Sequence, residues 1–327
     1  MHSEKLITVI TTVYNKAKFL ETWAKCLSEQ TFLDKTKILV IEDGSTDNSL
    51  ELLKKFSEQY NLPVEIICNE KNMGLLYTIR KAYRLLDTKY FAVLDADDYW
   101  LSPKKLENAV NFLEQHKDYS AYATNYFFQY SDSQKNPALA PEIPNMTFTQ
   151  AEGVPFFQTS AMTFRNFFSA DLLNKMDCFT YEKNFGICEG DAFRNAMAFG
   201  FGKIYFENSL DAAWRCNVGM WGTLSKLEQD LLNLSGQYEL FEFYRAQFSL
   251  DNNAAYFLKM MVNFYVSSLN AVAELMRNLN FFKFKCKSYF IKLSKIIDSQ
   301  NDQEIILNYF LHYGKILNDL GVVLKIE

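Results

Sequence analysis

Acidic runs concentrate the residues able to do chemistry. Glu42-Asp43-Gly44-Ser45-Thr46-Asp47 offers adjacent carboxylates, a glycine turn and a further acid. Such carboxylates can accept hydrogen bonds from a nucleotide base or a ribose. The same run can equally be a plain strand–turn–helix connection whose last aspartate caps the helix. Asp95-Ala96-Asp97-Asp98 places three carboxylates in four residues. Like charges so close repel one another, so this run implies a cation unless it is a solvated acidic turn. Oxygen ligands suit a hard divalent ion, and Mg²⁺ in particular is commonly held by one or two carboxylates plus substrate phosphates. Glu189-Gly190-Asp191 opens a helix-like stretch reaching Phe199, and acids there also favour a helix N-terminus.

The elements that must position these runs read as alternating strands and helices from Lys5 to about Gln129. Strands are expected at Leu6–Val13, Lys37–Ile41, Val64–Cys68 and Tyr90–Leu94, with a fifth at Ala121–Gln129. Helices are expected near Ala17–Glu29, Asp47–Tyr60, Leu75–Leu86 and Pro103–Gln115, the last with Ser102 and Pro103 as cap and first turn. This order predicts βαβ units with a parallel sheet. The first two acidic runs then fall outside the carboxyl ends of strands, where open α/β sheets bind ligands. Ser131–Thr159 holds four of the six prolines and reads as a long loop or lid. A strand (Ala161–Phe167), a short helix (Ala170–Met176), the helix opened by Asp191, a strand (Lys203–Phe206) and the run Asp211–Gly222 follow. From Leu224 onwards the spacing predicts three or four helices.

Composition excludes several classes. The chain has 327 residues, 49% hydrophobic and 22% charged, which is globular rather than disordered. No stretch approaches eighteen apolar residues, and Met1–Leu6 lacks the features of a signal peptide, so a cytoplasmic protein is expected. Six scattered cysteines without a C-x-x-C pair read as reduced thiols. A net charge of −5 argues against a general nucleic-acid binder. The three histidines His2, His116 and His312 lie too far apart for a histidine-rich metal site.

Four segments in this order, Val9-Ile10-Thr11-Thr12-Val13-Tyr14-Asn15, Ile41-Glu42-Asp43-Gly44-Ser45-Thr46-Asp47, Asn72-Met73-Gly74 and Val93-Leu94-Asp95-Ala96-Asp97-Asp98, together resemble family 2 glycosyltransferases of GT-A fold. The resemblance covers roughly the first 130 residues. It implies an α/β, Rossmann-like nucleotide-sugar-binding domain with a mixed sheet over residues 1–222, divided into a nucleotide-sugar half (1–130) and an acceptor and base half (131–222). A mostly α-helical C-terminal region (223–327) would follow. The donor implied is a UDP-sugar, with Mn²⁺ or Mg²⁺ held through Asp95 and Asp97. Tyr14 would pack on the base, and Glu42 or Asp43 would bond it. Thr11, Asn15, Ser45, Asn72, Gly74, Arg80 and Ala96 complete the implied donor contacts. Thr12 replaces the usual proline, Glu42 a common aspartate, and Arg80 is one residue out of phase with the family's Ala-Arg-Asn run.

Beyond the proline-containing segment, Glu189-Gly190-Asp191 resembles the family's base motif, which makes Asp191 the implied base and leaves Glu189 as the second catalytic carboxylate, the nucleophile that a double-displacement alternative would need. Trp214-Arg215-Cys216-Asn217-Val218-Gly219-Met220-Trp221-Gly222 resembles the closing Tyr-Arg-x-His-x-x-Gly-x-Trp-Ser segment. Trp221 would join the donor site, and Asn217 stands where a metal- or diphosphate-holding histidine is usual. The implied reaction is inverting transfer of a sugar to a glycan or glycolipid acceptor, in surface glycan synthesis. A binding scaffold that has lost transfer, and a nucleotidyltransferase, are the alternatives. The lysine–aromatic segment Phe281–Lys292 either packs as an amphipathic helix on the catalytic domain or on a second copy of the chain, or lies on an anionic membrane surface where a lipid-linked acceptor is presented.

Overall fold

The computed structural model describes residues 4–149, 157–183 (178–183 as backbone), 190–216, and positions 218, 240, 243 and 246–248. The chain divides into two compact units. The first comprises Met1–Thr149, Val154–Lys175 and Glu189–Thr223, and the second Gln150–Gly153, Met176–Cys188 and Leu224–Glu327. The helices expected after Leu224 lie outside the described residues, as does the Phe281–Lys292 segment.

In chain order the elements are β1 (Ile7–Val13), α1 (Leu20–Ser28), β2 (Thr36–Glu42), α2 (Ser49–Gln59), β3 (Val64–Cys68), α3 (Leu75–Arg84), β4 (Tyr90–Val93) and β5 (Tyr99–Trp100). Then come α4 (Lys105–Gln115), β6 (Tyr119–Gln129), β7 (Lys135–Pro137), β8 (Met146–Phe148), β9 (Met162–Arg165), α5 (Ala170–Lys183), α6 (Asp191–Phe201) and β10 (Lys203–Arg215). The sheet runs β3-β2-β1-β4-β9-β6-β10-β5, with β7 on β6 and β8 on β10. Strands β3, β2, β1 and β4 pair in parallel, as βαβ connections require. β9 then runs antiparallel to both β4 and β6, so the sheet is mixed. β1, β2 and β4 are apolar and buried almost without interruption, the pattern of strands covered on both faces. Trp23, Leu27, Leu53, Leu106 and Val110 on α1, α2 and α4 belong to the same core.

The structure departs from the sequence expectation in four places. β10 is one strand of thirteen residues, where a strand and a separate run are expected. Register shifts between Glu207 and Ala212 break its alternation, so the polar stretch Glu207-Asn208-Ser209 imitates a turn. Asn208 is held there by donating to the carbonyls of Ala140 (3.0 Å) and Ile143 (2.6 Å), partners far off in sequence. The expected long loop contains β7 and β8, edge pieces whose strand character comes from pairing with β6 and β10. α4 starts at Lys105, because Ser102 bonds the Lys104 N–H in a preceding turn (3.3 Å). α5 continues to Lys183, past the expected Met176.

Among the described residues, Cys26, Cys68 and Cys216 are free thiols. No helix among them is long and apolar enough to cross a membrane.

Candidate donor and catalytic site

The ends of β1 and β2 are tied together by side chains from the first two motifs. Asn15, in the left-handed region at φ 53°, accepts from the backbone N–H groups of Thr46 (2.8 Å) and Asp47 (3.3 Å). Its own N–H donates to Ser45 Oγ (3.1 Å). Glu42, buried at the end of β2, accepts from the N–H groups of Gly44 (3.2 Å) and Ser45 (2.7 Å). Asp47 accepts from Ser49 N–H (2.9 Å), so it supports the start of α2 although Asn48 occupies the cap position.

Asp43 secures the third motif. Its carboxylate accepts from Asn69 Nδ2 (2.7 Å), Met73 N–H (2.9 Å) and Gly74 N–H (2.9 Å). A carboxylate has about four acceptor positions, so Asp43 is nearly saturated while Glu42 keeps capacity for a ligand. Asn72 also accepts from Gly74 N–H (2.8 Å), and Gly74 adopts φ 89° to present that donor ahead of α3. Gly44 is required twice over. Its φ is 67°, and a Cβ there would stand 2.5 Å from the Lys71 carbonyl carbon. Tyr14 is exposed at the strand end. Thr11 and Ala96 are buried, and the Thr11 hydroxyl is spent inside, donating to Leu94 O (2.8 Å) and accepting from Trp23 Nε1 (3.0 Å). Arg80 sits half-buried on α3.

The Asp95-Ala96-Asp97-Asp98 run follows β4, and its three carboxylates have different environments. Burial first, and then the charge of Asp97, push Asp95 up to about 7, with Arg194 and Lys16 opposing. Asp97 takes the Lys16 ammonium on Oδ2. Asp98 is buried and accepts from Gln158 Nε2 (2.8 Å), Ser160 Oγ (2.9 Å) and Arg215 N–H (3.0 Å). Burial and its two acidic neighbours hold Asp98 well above the usual carboxylate range, against the pull of these donors. Arg215 Nη1 returns to the Asp97 carbonyl (2.6 Å), which locks the end of β10 onto the acidic run.

Asp191 opens α6, where its carboxylate accepts from Ala192 N–H (3.0 Å). The charge of Asp191 reaches Asp95, so tertiary structure brings the two distant acidic motifs to one place. Burial raises Asp191, and Arg194 one turn along works against that rise. Arg194 is itself buried. It donates to Tyr83 Oη (2.8 Å) and Thr159 Oγ1 (2.8 Å), while its Nε–H has no partner. The charge of Asp191 is also felt at Tyr126, whose hydroxyl is raised chiefly by burial. Tyr126 borders a cavity of about 110 Å³ together with Asn125, Phe128, Phe157 and Phe206. Glu189, Asn217 and Trp221 lie outside the described residues.

Sequence reasoning did not single out Lys16, Gln158, Ser160 or Arg194. Arg194 alone left a signal, as a cation at i+3 from Asp191 on one helix face. The others reach the acids through tertiary packing.

The sequence pattern of Glycosyl transferase family 2 matches residues 8–173, half of the chain. The chain belongs to glycosyl transferase family 2. EpsE of Bacillus subtilis (strain 168) is 25% identical over 162 residues, which are 50% of this chain and 57% of EpsE. The matches to two further relatives cover 36% and 39% of their lengths. Among solved structures, S. aureus TarS 1–349 in complex with UDP-GlcNAc superposes with a TM-score of 0.62 at 17% identity, over 96% of this chain and 83% of that one. The mannosyltransferase PcManGT of Pyrobaculum calidifontis, in complex with GDP-Man and Mn²⁺, gives 0.55 at 14% identity, over 95% and 86%. These likenesses establish the GT-A fold for this family 2 chain.

Proposed function

We propose that this family 2 protein is an inverting glycosyltransferase that moves a sugar from a UDP-sugar to a glycan or lipid-linked acceptor. What carries this reading is that Asp95 and Asp97, after β4, and Asp191, at the start of α6, lie near enough for the charges of Asp97 and Asp191 to act on Asp95. The nucleotide would lie across the ends of β1 and β2, with Tyr14 against the base and Glu42 offering its remaining acceptor capacity. Residues 1–222 would form the catalytic domain and 223–327 a helical region. TarS binding UDP-GlcNAc supports a nucleotide-sugar donor, and the Mn²⁺ beside GDP-Man in PcManGT supports a divalent ion.

The donor set fits such an ion. Burial first, and then the charge of Asp97, push Asp95 up, and a cation between the two carboxylates would oppose both. Among the described residues no three His, Cys, Asp or Glu side chains form a ligand set. Asp95 and Asp97 would therefore hold Mn²⁺ or Mg²⁺ with diphosphate oxygens completing the shell, as Mg²⁺ commonly requires. A divalent ion so held would neutralise charge developing on the leaving diphosphate.

Asp191 takes the proton of the acceptor hydroxyl as that oxygen attacks the anomeric carbon from the face opposite the diphosphate. Its raised position brings it nearer to neutral operating pH, where a base is most effective. The charge of Arg194 opposes that rise and so favours the carboxylate form.

Thermal-shift titrations with UDP, GDP, CDP and dTDP, each with and without Mn²⁺, test the donor class. A Mn²⁺-dependent shift confined to UDP supports the reading. No shift with any nucleotide favours the scaffold alternative. In turnover assays Asp97→Ala and Asp191→Ala should each nearly abolish transfer. The first should also weaken nucleotide binding and the second should spare it.

A further inference from the structure

Lys16 stands between the nucleotide loop and the candidate cation site. Its backbone is fixed. It follows Asn15, whose side chain clamps the Thr46 and Asp47 N–H groups, and its own N–H donates to Ser49 Oγ (2.8 Å). Its side chain is a flexible four-carbon stem ending in a point charge. That ammonium sits on Asp97 Oδ2, with the Phe19 ring 5.9 Å away. The two side chains are 20% and 11% exposed, so each charge depends on the other for compensation.

A divalent ion on Asp97 would stand within a few ångströms of the Lys16 ammonium on the same carboxylate, and the two positive charges repel. Entry of the ion therefore frees the ammonium, which then needs another anion within reach. The diphosphate that completes the ion's shell is such an anion, and lysine binds phosphate well as a point charge. Resting on the donor-and-cation reading above, we infer that Lys16 is a positioning residue shared between Asp97 and the donor's diphosphate. It holds the carboxylate until the nucleotide arrives and then passes to the phosphates. Cation and nucleotide consequently bind as a coupled pair, each raising the affinity of the other by the same factor.

The test is a Mn²⁺ titration of the full chain, read from the electron paramagnetic resonance of free Mn²⁺, without nucleotide and at saturating UDP. In the natural protein UDP should tighten Mn²⁺ binding strongly. Lys16→Met should bind Mn²⁺ about tenfold more tightly without nucleotide, equivalent to about 1.4 kcal/mol. The factor by which UDP tightens Mn²⁺ should fall by about tenfold or more in the same variant. Lys16→Gln should behave like Lys16→Met, and Lys18→Met, which removes a neighbouring exposed cation, should match the natural protein. Unchanged or weaker Mn²⁺ binding in both Lys16 variants, or an unchanged coupling factor, overturns the role of Lys16. Failure of the natural protein to bind Mn²⁺ even with UDP overturns the donor-and-cation reading instead.

Discussion

Replacing Asp98 by alanine removes the acceptor that three donors share: Arg215 N–H, Gln158 Nε2 and Ser160 Oγ. Their losses are unequal. The Arg215 N–H loses its acceptor, and a backbone donor left unpaired inside a protein costs about 1–3 kcal/mol. Gln158 keeps a weak contact with Ser160 Oγ (3.4 Å), and the Ser160 hydroxyl can rotate, so together they lose about 1–2 kcal/mol. Removing one of three crowded carboxylates returns about 1 kcal/mol through relief of repulsion with Asp95 and Asp97. The net expectation is a loss of about 1–4 kcal/mol, a large part of a typical domain's 5–15 kcal/mol. Asp98→Asn keeps one oxygen and should lose about half as much. Urea unfolding followed by far-ultraviolet circular dichroism gives the differences directly. Because Arg215 also holds the Asp97 carbonyl, the alanine variant should bind UDP with Mn²⁺ more weakly as well. A stability within about 0.5 kcal/mol of the natural protein would refute the view that Asp98 ties β10 to the acidic run.

Asp191→Asn should lower kcat by about 10²–10⁴, the usual worth of a general base, while calorimetry finds UDP affinity within about twofold of normal; a proportionate loss of affinity would place Asp191 in the donor site instead. Gly44→Ala and Gly74→Ala both force a side chain into positive φ, but only at Gly44 does the new Cβ meet backbone, at 2.5 Å. Gly44→Ala should therefore cost more than about 2 kcal/mol and Gly74→Ala about 1 kcal/mol, and equal costs in urea unfolding would contradict the packing of Gly44 on Lys71. Lys105 is fully buried on α4, bonded to Thr124 Oγ1 (3.0 Å) and Ala161 O (3.2 Å), and burial lowers its ammonium to about 8. Between that value and the ordinary 10.5 the unfolded chain binds more protons, so stability relative to Lys105→Met should rise with pH by about 3 kcal/mol across the window. Parallel pH-stability curves for the two proteins would show that Lys105 is not desolvated.

Much of the β1–β4 architecture was legible because it depends on local rules. β1 to β4 and their helices follow from apolar runs alternating with amphipathic ones, and the observed bounds differ by at most three residues, the largest at the start of α1. β10 and the β7–β8 pieces were not legible, because their strand character comes from partners distant in the chain. Asn208 in the β10 bulge is satisfied by carbonyls more than sixty residues away, which no local pattern records.

The same division runs through the candidate site. The sequence alone placed Glu42, Asp43 and the Asp95-Ala96-Asp97-Asp98 run at strand ends, since a strand's end and the residues after it are neighbours in the chain. It also set Asp191 at a helix start. Tertiary structure decided which carboxylates are already committed. Asp43 is spent on the Asn69–Gly74 loop, Asp98 on Gln158, Ser160 and Arg215, and Asp97 on Lys16. It also decided that Asp191 and Arg194 lie close enough to Asp95 to act on its charge. Hydrogen bonds and Coulomb forces act over a few ångströms regardless of separation along the chain. Residue types and spacing can therefore specify the groups available for chemistry, and only the fold determines which of them meet.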